Sequence, residues 1–357
     1  MDDVLQIEGL TKTYGAKAAL QGVSLAIAHN EYVSLLGPSG SGKTVLLRLI
    51  AGFEPPDSGR IWVDGKDISR VLPHDRGIGF VFQNFALFPH LNVYENIAFG
   101  LSNRVHAPIA DGAELRARVN TMIDLVGLGG FGQRGVHQIS GGQRQRVALA
   151  RTLVTEPRLV LLDEPLGALD ANLRMRMRGE LRRIRSLLGV TFLHVTGSET
   201  EALAMGDRSV VLDNGRIGQF DRPDVIFNQP VSPNVARFLN CYNVFGGVIE
   251  GGSFRSGGHV FGFSGPVKPG AETAYVVRQD VILIQAMDAP VGARETGLSA
   301  TYVTSEYTGA AFMYFFKTDD GHIVEVENHL SHRAAQDLVA GARYRLVWRA
   351  DAALVYG

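Results

Sequence analysis

The sequence predicts two parts: an α/β core with a largely parallel sheet and a helical insert, then an all-β domain resembling a small OB-like barrel. Three observations carry this. Up to about residue 238, short apolar runs such as Tyr32–Leu36, Ile78–Phe82, Leu159–Leu162, Thr191–Val195 and Ser209–Leu212 alternate with helical patterns and glycine-rich turns, the rhythm of βα units. Between Asn84 and Gln138 the strand signal gives way to helical segments, notably Ala113–Val126. After Asn240 short alternating segments recur, with Asp319-Asp320-Gly321 as a hairpin signal between two of them. The expected domains are residues 1–238, with the insert at about 84–155, and residues 239–357, joined through a segment holding Pro223, Pro230 and Pro233.

The first chemical signal follows the strand Tyr32–Leu36. Gly37-Pro38-Ser39-Gly40-Ser41-Gly42-Lys43-Thr44 fits G-x-x-x-x-G-K-[ST], with the helix Lys43–Ala51 after it, the strand–loop–helix setting of a P-loop NTPase. Glycines let backbone N–H groups turn inward around a β-phosphate at the positive end of a helix. Lys43 is expected to reach the β- and γ-phosphates, and Thr44 to offer its hydroxyl to Mg²⁺. By itself the loop specifies a nucleoside triphosphate.

The run Leu159–Leu162 reads as a strand buried on both faces. It ends in Asp163 and Glu164, at the edge where open parallel sheets bind ligands. Adjacent side chains there point different ways, so Asp163 is assigned to the metal and Glu164 to the general base that polarises the attacking water. Ser140 and Gln143 form an S-x-x-Q capping box before the helix Arg144–Leu153. Gly141 and Gly142 leave that helix N-terminus bare enough to receive an anion.

Composition limits the alternatives. The chain of 357 residues carries 35 Lys+Arg against 36 Asp+Glu, a net charge of −1, which argues against a protein that coats nucleic acid. The single cysteine, Cys241, excludes an internal disulfide framework and fits a reducing compartment. The start, Met1-Asp-Asp-Val, lacks a signal-peptide pattern. No apolar run approaches the ~20 residues of a membrane span, so any link to a membrane is expected to run through partners. The arginines at 174, 176, 178, 182, 183 and 185 accompany an apolar face of Leu173, Met177, Leu181, Ile184 and Leu188; they read as the solvated side of a helix.

The segment Ile139-Ser-Gly-Gly-Gln-Arg-Gln-Arg-Val-Ala-Leu-Ala-Arg151 resembles the signature motif of ATP-binding-cassette (ABC) transporter ATPases, with Ile139 where that family usually has Leu. The resemblance runs through residues 4–240 and implies the following. Tyr14 stacks on adenine. Gln83 meets Mg²⁺ and the attacking water. Asn84–Gly100 looks like the importer version of the surface that docks transmembrane subunits, and Pro165–Asp170 like the loop crossing a dimer seam. The signature of one subunit, Ser140 to Gln143, binds the γ-phosphate held by the other subunit's phosphate loop. The implied assembly is a homodimer or paired cassette, two permease subunits and, indirectly, a substrate-binding protein, with the chain peripheral at the cytoplasmic face of the inner membrane. The implied activity is ATP hydrolysis driving solute uptake. Residues 241–357 more loosely resemble the accessory TOBE domain of importer ATPases, through Val277-Arg278-Gln279-Asp280-Val281.

One position departs from the family. Its members usually read Val-Thr-His-Asp after the strand that here is Thr191–Val195; this chain reads Val195-Thr196-Gly197-Ser198. The switch histidine is replaced by Gly197. His194 lies three positions upstream in a strand and should face the other way. Slowed hydrolysis through Glu164 and bound water is one reading; an ATP-binding regulatory subunit with weak or no hydrolysis is the other. A soluble ABC ATPase unconnected with transport is a third, disfavoured by the single cassette and the importer-like docking segment.

Overall fold

The computed structural model describes residues 3–103, 108–109, 112–167 and 169–357, and two compact units divide between Asp224 and Val225. In the first unit the elements run β1 (Asp3–Tyr14), β2 (Lys17–Ala28), β3 (Tyr32–Leu36), α1 (Lys43–Ala51), β4 (Ser58–Val63), β5 (Lys66–Asp67), β6 (Ile78–Val81), α2 (Val93–Ser102), α3 (Gly112–Leu125), α4 (Gly141–Leu153), β7 (Leu159–Asp163), α5 (Ala171–Leu188), β8 (Thr191–Val195), α6 (Glu199–Met205), β9 (Arg208–Asp213) and β10 (Arg216–Asp221).

Two sheets form. One has the order β2-β1-β4-β5, the other β10-β9-β3-β8-β7-β6. In the larger sheet β9, β3, β8, β7 and β6 are parallel and β10 closes the edge as an antiparallel hairpin. Parallel strands need covering on both faces, and β7 shows how the sequence supplies it. Leu159 and Leu161 enter a core with Leu46, Leu49 and Ile50 of α1 and the β1–β2 sheet. Val160 and Leu162 enter another with Ile97, Val119, Val147, Leu181 and Ile184 from α2 to α5. Alternation of side chains along one strand therefore separates the two cores. On α5, Met177, Leu181 and Ile184 are buried, whereas Leu188 is 43% exposed and does not continue the expected apolar face.

The second unit is all-β apart from short helices. Its strands fall into sheets of four, three and five, with Glu295–Tyr307 central in the largest between Arg343–Arg349 and Ala311–Lys317. Ala311–Lys317 pairs antiparallel with Ile323–His329 across the Asp319-Asp320-Gly321 turn. Aromatic residues fill one core: Phe245, Phe254, Phe261, Tyr275, Tyr302, Phe316 and Trp348. Trp348 Nε1 donates to Tyr275 Oη at 2.8 Å, and that hydroxyl donates to Gly262 O at 3.1 Å, so both polar tips are satisfied inside the core.

Candidate functional site

The site forms where β3, β7 and β8 end side by side, at the C-terminal edge of the parallel strands. β3 is buried along its whole length, and the loop after it rests on backbone that only glycine tolerates. Gly37 has φ +153°, and a side-chain carbon there would lie 2.1 Å from Leu212 O. Gly42, with φ +106°, would meet Ala19 O at 2.6 Å. The loop is thus wedged against β9 and the start of β2, which fixes the N-terminus of α1.

Lys43 is buried, and its ammonium donates to Gly37 O at 2.6 Å and Pro38 O at 3.0 Å. Burial holds its pKa below the ordinary lysine value, against the opposing pull of the Glu164 and Asp163 charges. Among the described residues, Ser41 Oγ is buried without a hydrogen-bond partner. A cavity of 380 Å³ is lined by Tyr14, Lys17, Ala19, the loop residues Ser39, Gly40, Gly42, Lys43 and Thr44, and Glu164. One concavity therefore joins an aromatic face, a glycine-rich loop, an ammonium, a hydroxyl and a carboxylate. Tyr14 is 45% exposed and donates its hydroxyl to Glu54; that bond pushes its phenol pKa up. Glu54 was not marked by the sequence, because a lone glutamate after a helix carries no spacing signal.

At the end of β7 the register pairs Asp163 with Val195, so the Thr196-Gly197 turn comes next to Glu164. Glu164 has φ +44°, a left-handed conformation costly for a residue with a side chain, and its N–H donates to Val195 O at 3.0 Å. Gln83 Nε2 donates to Glu164 Oε2 at 3.0 Å. Burial, and then the neighbouring Glu164 charge, raise the Asp163 pKa above the ordinary carboxylate value. Among the described residues, no three His, Cys, Asp or Glu side chains gather to hold a metal. A cation here would lean on one or two protein oxygens and on phosphate, which is how Mg²⁺ is usually held.

Gly197 faces this carboxylate. A side-chain carbon on it would have one neighbour within 4 Å, Glu164 Oε1 at 3.9 Å. Its neighbours are otherwise engaged: Thr196 Oγ1 accepts from Ser198 N at 3.0 Å, and Ser198 Oγ caps α6 by accepting from Glu201 N at 3.3 Å. His194 is fully buried on the opposite face of β8, with Nδ1 3.0 Å from Tyr32 Oη and Nε2 2.9 Å from Glu201 Oε1.

Ser140 N-caps α4. Its N–H donates to Gln143 Oε1 at 2.8 Å, and its Oγ accepts from Gln143 N at 3.3 Å. Gly142 packs under Leu173, whose methyls lie 2.8 Å from where a side-chain carbon would sit. The four residues Ser140, Gly141, Gly142 and Gln143 do not line the 380 Å³ cavity. Ala168, in the expected seam-crossing loop, lies outside the described residues.

The loop after Gln83 is built by residues the motifs left unmarked. Arg151 donates to Phe85 O at 2.9 Å and Ala86 O at 2.7 Å. Asn96, fully buried, accepts from Phe88 N at 2.9 Å and donates to Leu91 O at 3.1 Å. Phe88 and Phe99 pack at 4.3 Å, with Phe99 39% exposed.

Comparison with known proteins agrees with this geometry. The ABC transporter family profile matches residues 20–167, and a TOBE domain profile matches residues 272–355. The sulfate/thiosulfate import ATP-binding protein CysA of Caulobacter vibrioides is 42% identical over 338 residues, covering 95% of this chain and 96% of that protein. The spermidine/putrescine import ATP-binding protein PotA of Clostridioides difficile is 44% identical over 250 residues, covering 70% of this chain and 71% of that protein. A dimeric ATP-binding cassette solved in a post-hydrolysis state with ADP and Pi superimposes with a TM-score of 0.55 at 32% identity, covering 61% of this chain and 98% of that chain. A subunit of an ABC transporter complex from Clostridium perfringens gives 0.59 at 31% identity, covering 67% and 95%. With the phosphate loop inside the matched segment and a relative alike along nearly its whole length, this chain belongs to the ABC transporter family as an ATP-binding ATPase subunit.

Proposed function

We propose that the chain is the ATP-hydrolysing motor of an importer, coupling closure of a cassette dimer to solute uptake through separate permease subunits. The observation that carries this is the division of the site. Tyr14, the phosphate loop and Glu164 share one cavity, while the Ser140–Gln143 helix start does not line it. A single chain thus holds two halves of different sites, which two chains in head-to-tail arrangement would complete.

In this reading Tyr14 stacks on adenine, and the N–H groups from Gly37 to Thr44 cradle the phosphates together with Lys43. Lys43 exchanges its carbonyl partners for phosphate oxygens. The Thr44 hydroxyl, the Asp163 carboxylate and the Gln83 amide oxygen are hard donors of the kind Mg²⁺ prefers. Bound there, Mg²⁺ would neutralise charge on the β- and γ-phosphates. Glu164 accepts the proton of the attacking water, and Gln83 orients that carboxylate through its 3.0 Å bond. The helix start at Ser140 to Gln143 meets the γ-phosphate of the opposite subunit. Closure is a population shift, since ATP binds the closed dimer better.

In this reading the cassette is residues 1–238 and the TOBE-like accessory domain residues 239–357, a boundary 14 residues beyond the one at which the compact units divide. No helix among the described residues is long and apolar enough to cross a membrane. In this reading membrane association is peripheral, through two permease subunits docked near Phe88 and Phe99 at the cytoplasmic face. The named relatives are import proteins for an anion and for polycations; one cassette design serving both supports a reading in which other subunits select the cargo. A regulatory, weakly hydrolysing role is the second reading, favoured by the empty approach from Gly197 to Glu164. Steady-state hydrolysis by the purified chain beside Glu164→Gln separates the two. Turnover above the Glu164→Gln background supports the motor; ATP binding without such turnover supports the regulator.

A further inference from the structure

Two adjacent residues between Gln83 and the docking surface hold left-handed backbone without being glycine: Phe85 at φ +64° and Ala86 at φ +45°. Such pairs persist only when their surroundings hold them. Phe85 supplies part of the hold by burying its ring. Ala86 is exposed and its side chain supplies none.

Both carbonyls of the strained pair point at one side chain. Arg151 Nη2 donates to Phe85 O at 2.9 Å and Nη1 to Ala86 O at 2.7 Å. Its guanidinium carbon lies 5.5 Å from the centre of the Phe88 ring, within reach of a cation–π contact. Arg151 is half-buried, and among the described residues no carboxylate lies within ion-pairing distance of it. An arginine withdrawn from water with only carbonyls and a ring for company is spending its planar fork on geometry. Arg151 stands at the far end of α4 from Ser140, and the next residue, Thr152, seats that end of the helix on β6, with its hydroxyl 3.3 Å from Phe80 O.

We infer that Arg151 is a positioning residue: it clamps the strained Phe85–Ala86 turn so that Gln83 stays on Glu164 and Phe88 stays on the docking surface, and it ties that loop to the helix that begins at Ser140. This rests on the hydrolysis reading above for its kinetic consequence, but not for its structural one. The guanidinium touches neither the 380 Å³ cavity nor the capping box. It acts through the loop.

The test uses the full chain with Arg151→Met, which keeps the stem and removes the donors, and Arg151→Lys, which keeps the charge but not the fork. Each is also made with Ala86→Gly, since glycine adopts the left-handed conformation without help. ATP affinity, kcat and amide exchange over residues 83–88 are measured for all. Arg151→Met is expected to lower kcat roughly tenfold or more with ATP affinity within about twofold, because displacement of an orienting group by an ångström costs rate before binding. Arg151→Lys falls between it and wild type. Amide exchange speeds up at 85–88 while α4 stays protected. Adding Ala86→Gly returns kcat to within roughly threefold of Ala86→Gly alone. A kcat loss that glycine does not relieve, or exchange at 85–88 that stays at the wild-type rate, overturns the clamp and leaves Arg151 a packing residue of α4. If wild type itself shows no Glu164-dependent turnover, the motor reading fails by that measurement, and the exchange comparison still decides the clamp. Should Arg151→Met prove insoluble, Arg151→Lys carries the same comparisons.

Discussion

Gln83 Nε2 donates a 3.0 Å hydrogen bond to Glu164 Oε2, joining the end of β6 to the end of β7. It fixes one carboxylate oxygen of Glu164 and leaves the other, Oε1, facing Gly197. Gln83→Ala is expected to lower kcat by roughly 10- to 100-fold with KM for ATP within about twofold, the pattern for an interaction that matters in the transition state. Glu164→Gln should lower it further, to background. A Gln83→Ala defect confined to KM would remove Gln83 from the chemistry.

Gly197 lies outside the left-handed region and has open space toward Glu164. Gly197→His can therefore be accommodated, and an imidazole there would steady the base and the water. The expected gain in kcat is roughly tenfold, at the low end of what one positioned acid–base group contributes. Turnover that falls on adding the histidine would show that this site has settled on another arrangement.

Asp163 lies above the ordinary carboxylate pKa through burial and the Glu164 charge. The ionised form is the one that accepts a cation, so Mg-ATP affinity should decline as pH falls through this raised value. Glu164→Gln removes the second cause and lowers the pKa, so the acid limb should move to lower pH. The folding linkage has the opposite preference: a raised folded pKa favours the fold below the unfolded value, and that contribution is lost as pH rises through the folded one. Calorimetric titration with Mg-ATP across pH reads the shift, and limbs that coincide would refute it.

At Gly37 a side-chain carbon would lie 2.1 Å from Leu212 O, and the carbonyl belongs to a packed strand that cannot yield. Gly37→Ala should destabilise the first unit by about 2–4 kcal/mol, seen as a lower urea midpoint. Gly141 differs: its nearest neighbour would be Leu169 at 3.9 Å. Gly141→Glu puts a carboxylate at the start of α4, which suits the helix by a few tenths of a kcal/mol but repels an incoming phosphate. In a Glu164→Gln background it should abolish ATP-driven dimerisation, measured by sedimentation, without loss of thermal stability. Dimers that still form would exclude this helix start from the composite site.

Much of this was legible because spacing encodes it. The phosphate loop needs its glycines where the chain turns under β9, and the capping box at Ser140 and Gln143 is a local pattern with a local cause. The fully apolar β7 run announced a strand covered on both faces. What the sequence concealed depends on contacts between distant segments. Arg151 reads as one more basic residue in a helix until its fork meets carbonyls 65 and 66 positions away. Asn96 and Glu54 are equally silent, since a buried amide or a hydrogen-bonded carboxylate has no period.

Trp348 is the sealed centre of the second unit's core, and the other tryptophan, Trp62, sits half-buried on β4 of the first. The chain is thereby supplied with one tryptophan fluorophore per unit. Trp62→Phe leaves a tryptophan emission that reports only on the C-terminal unit, and Trp348→Phe one that reports only on the cassette, so the melting of each unit can be followed in the intact protein without attaching a dye.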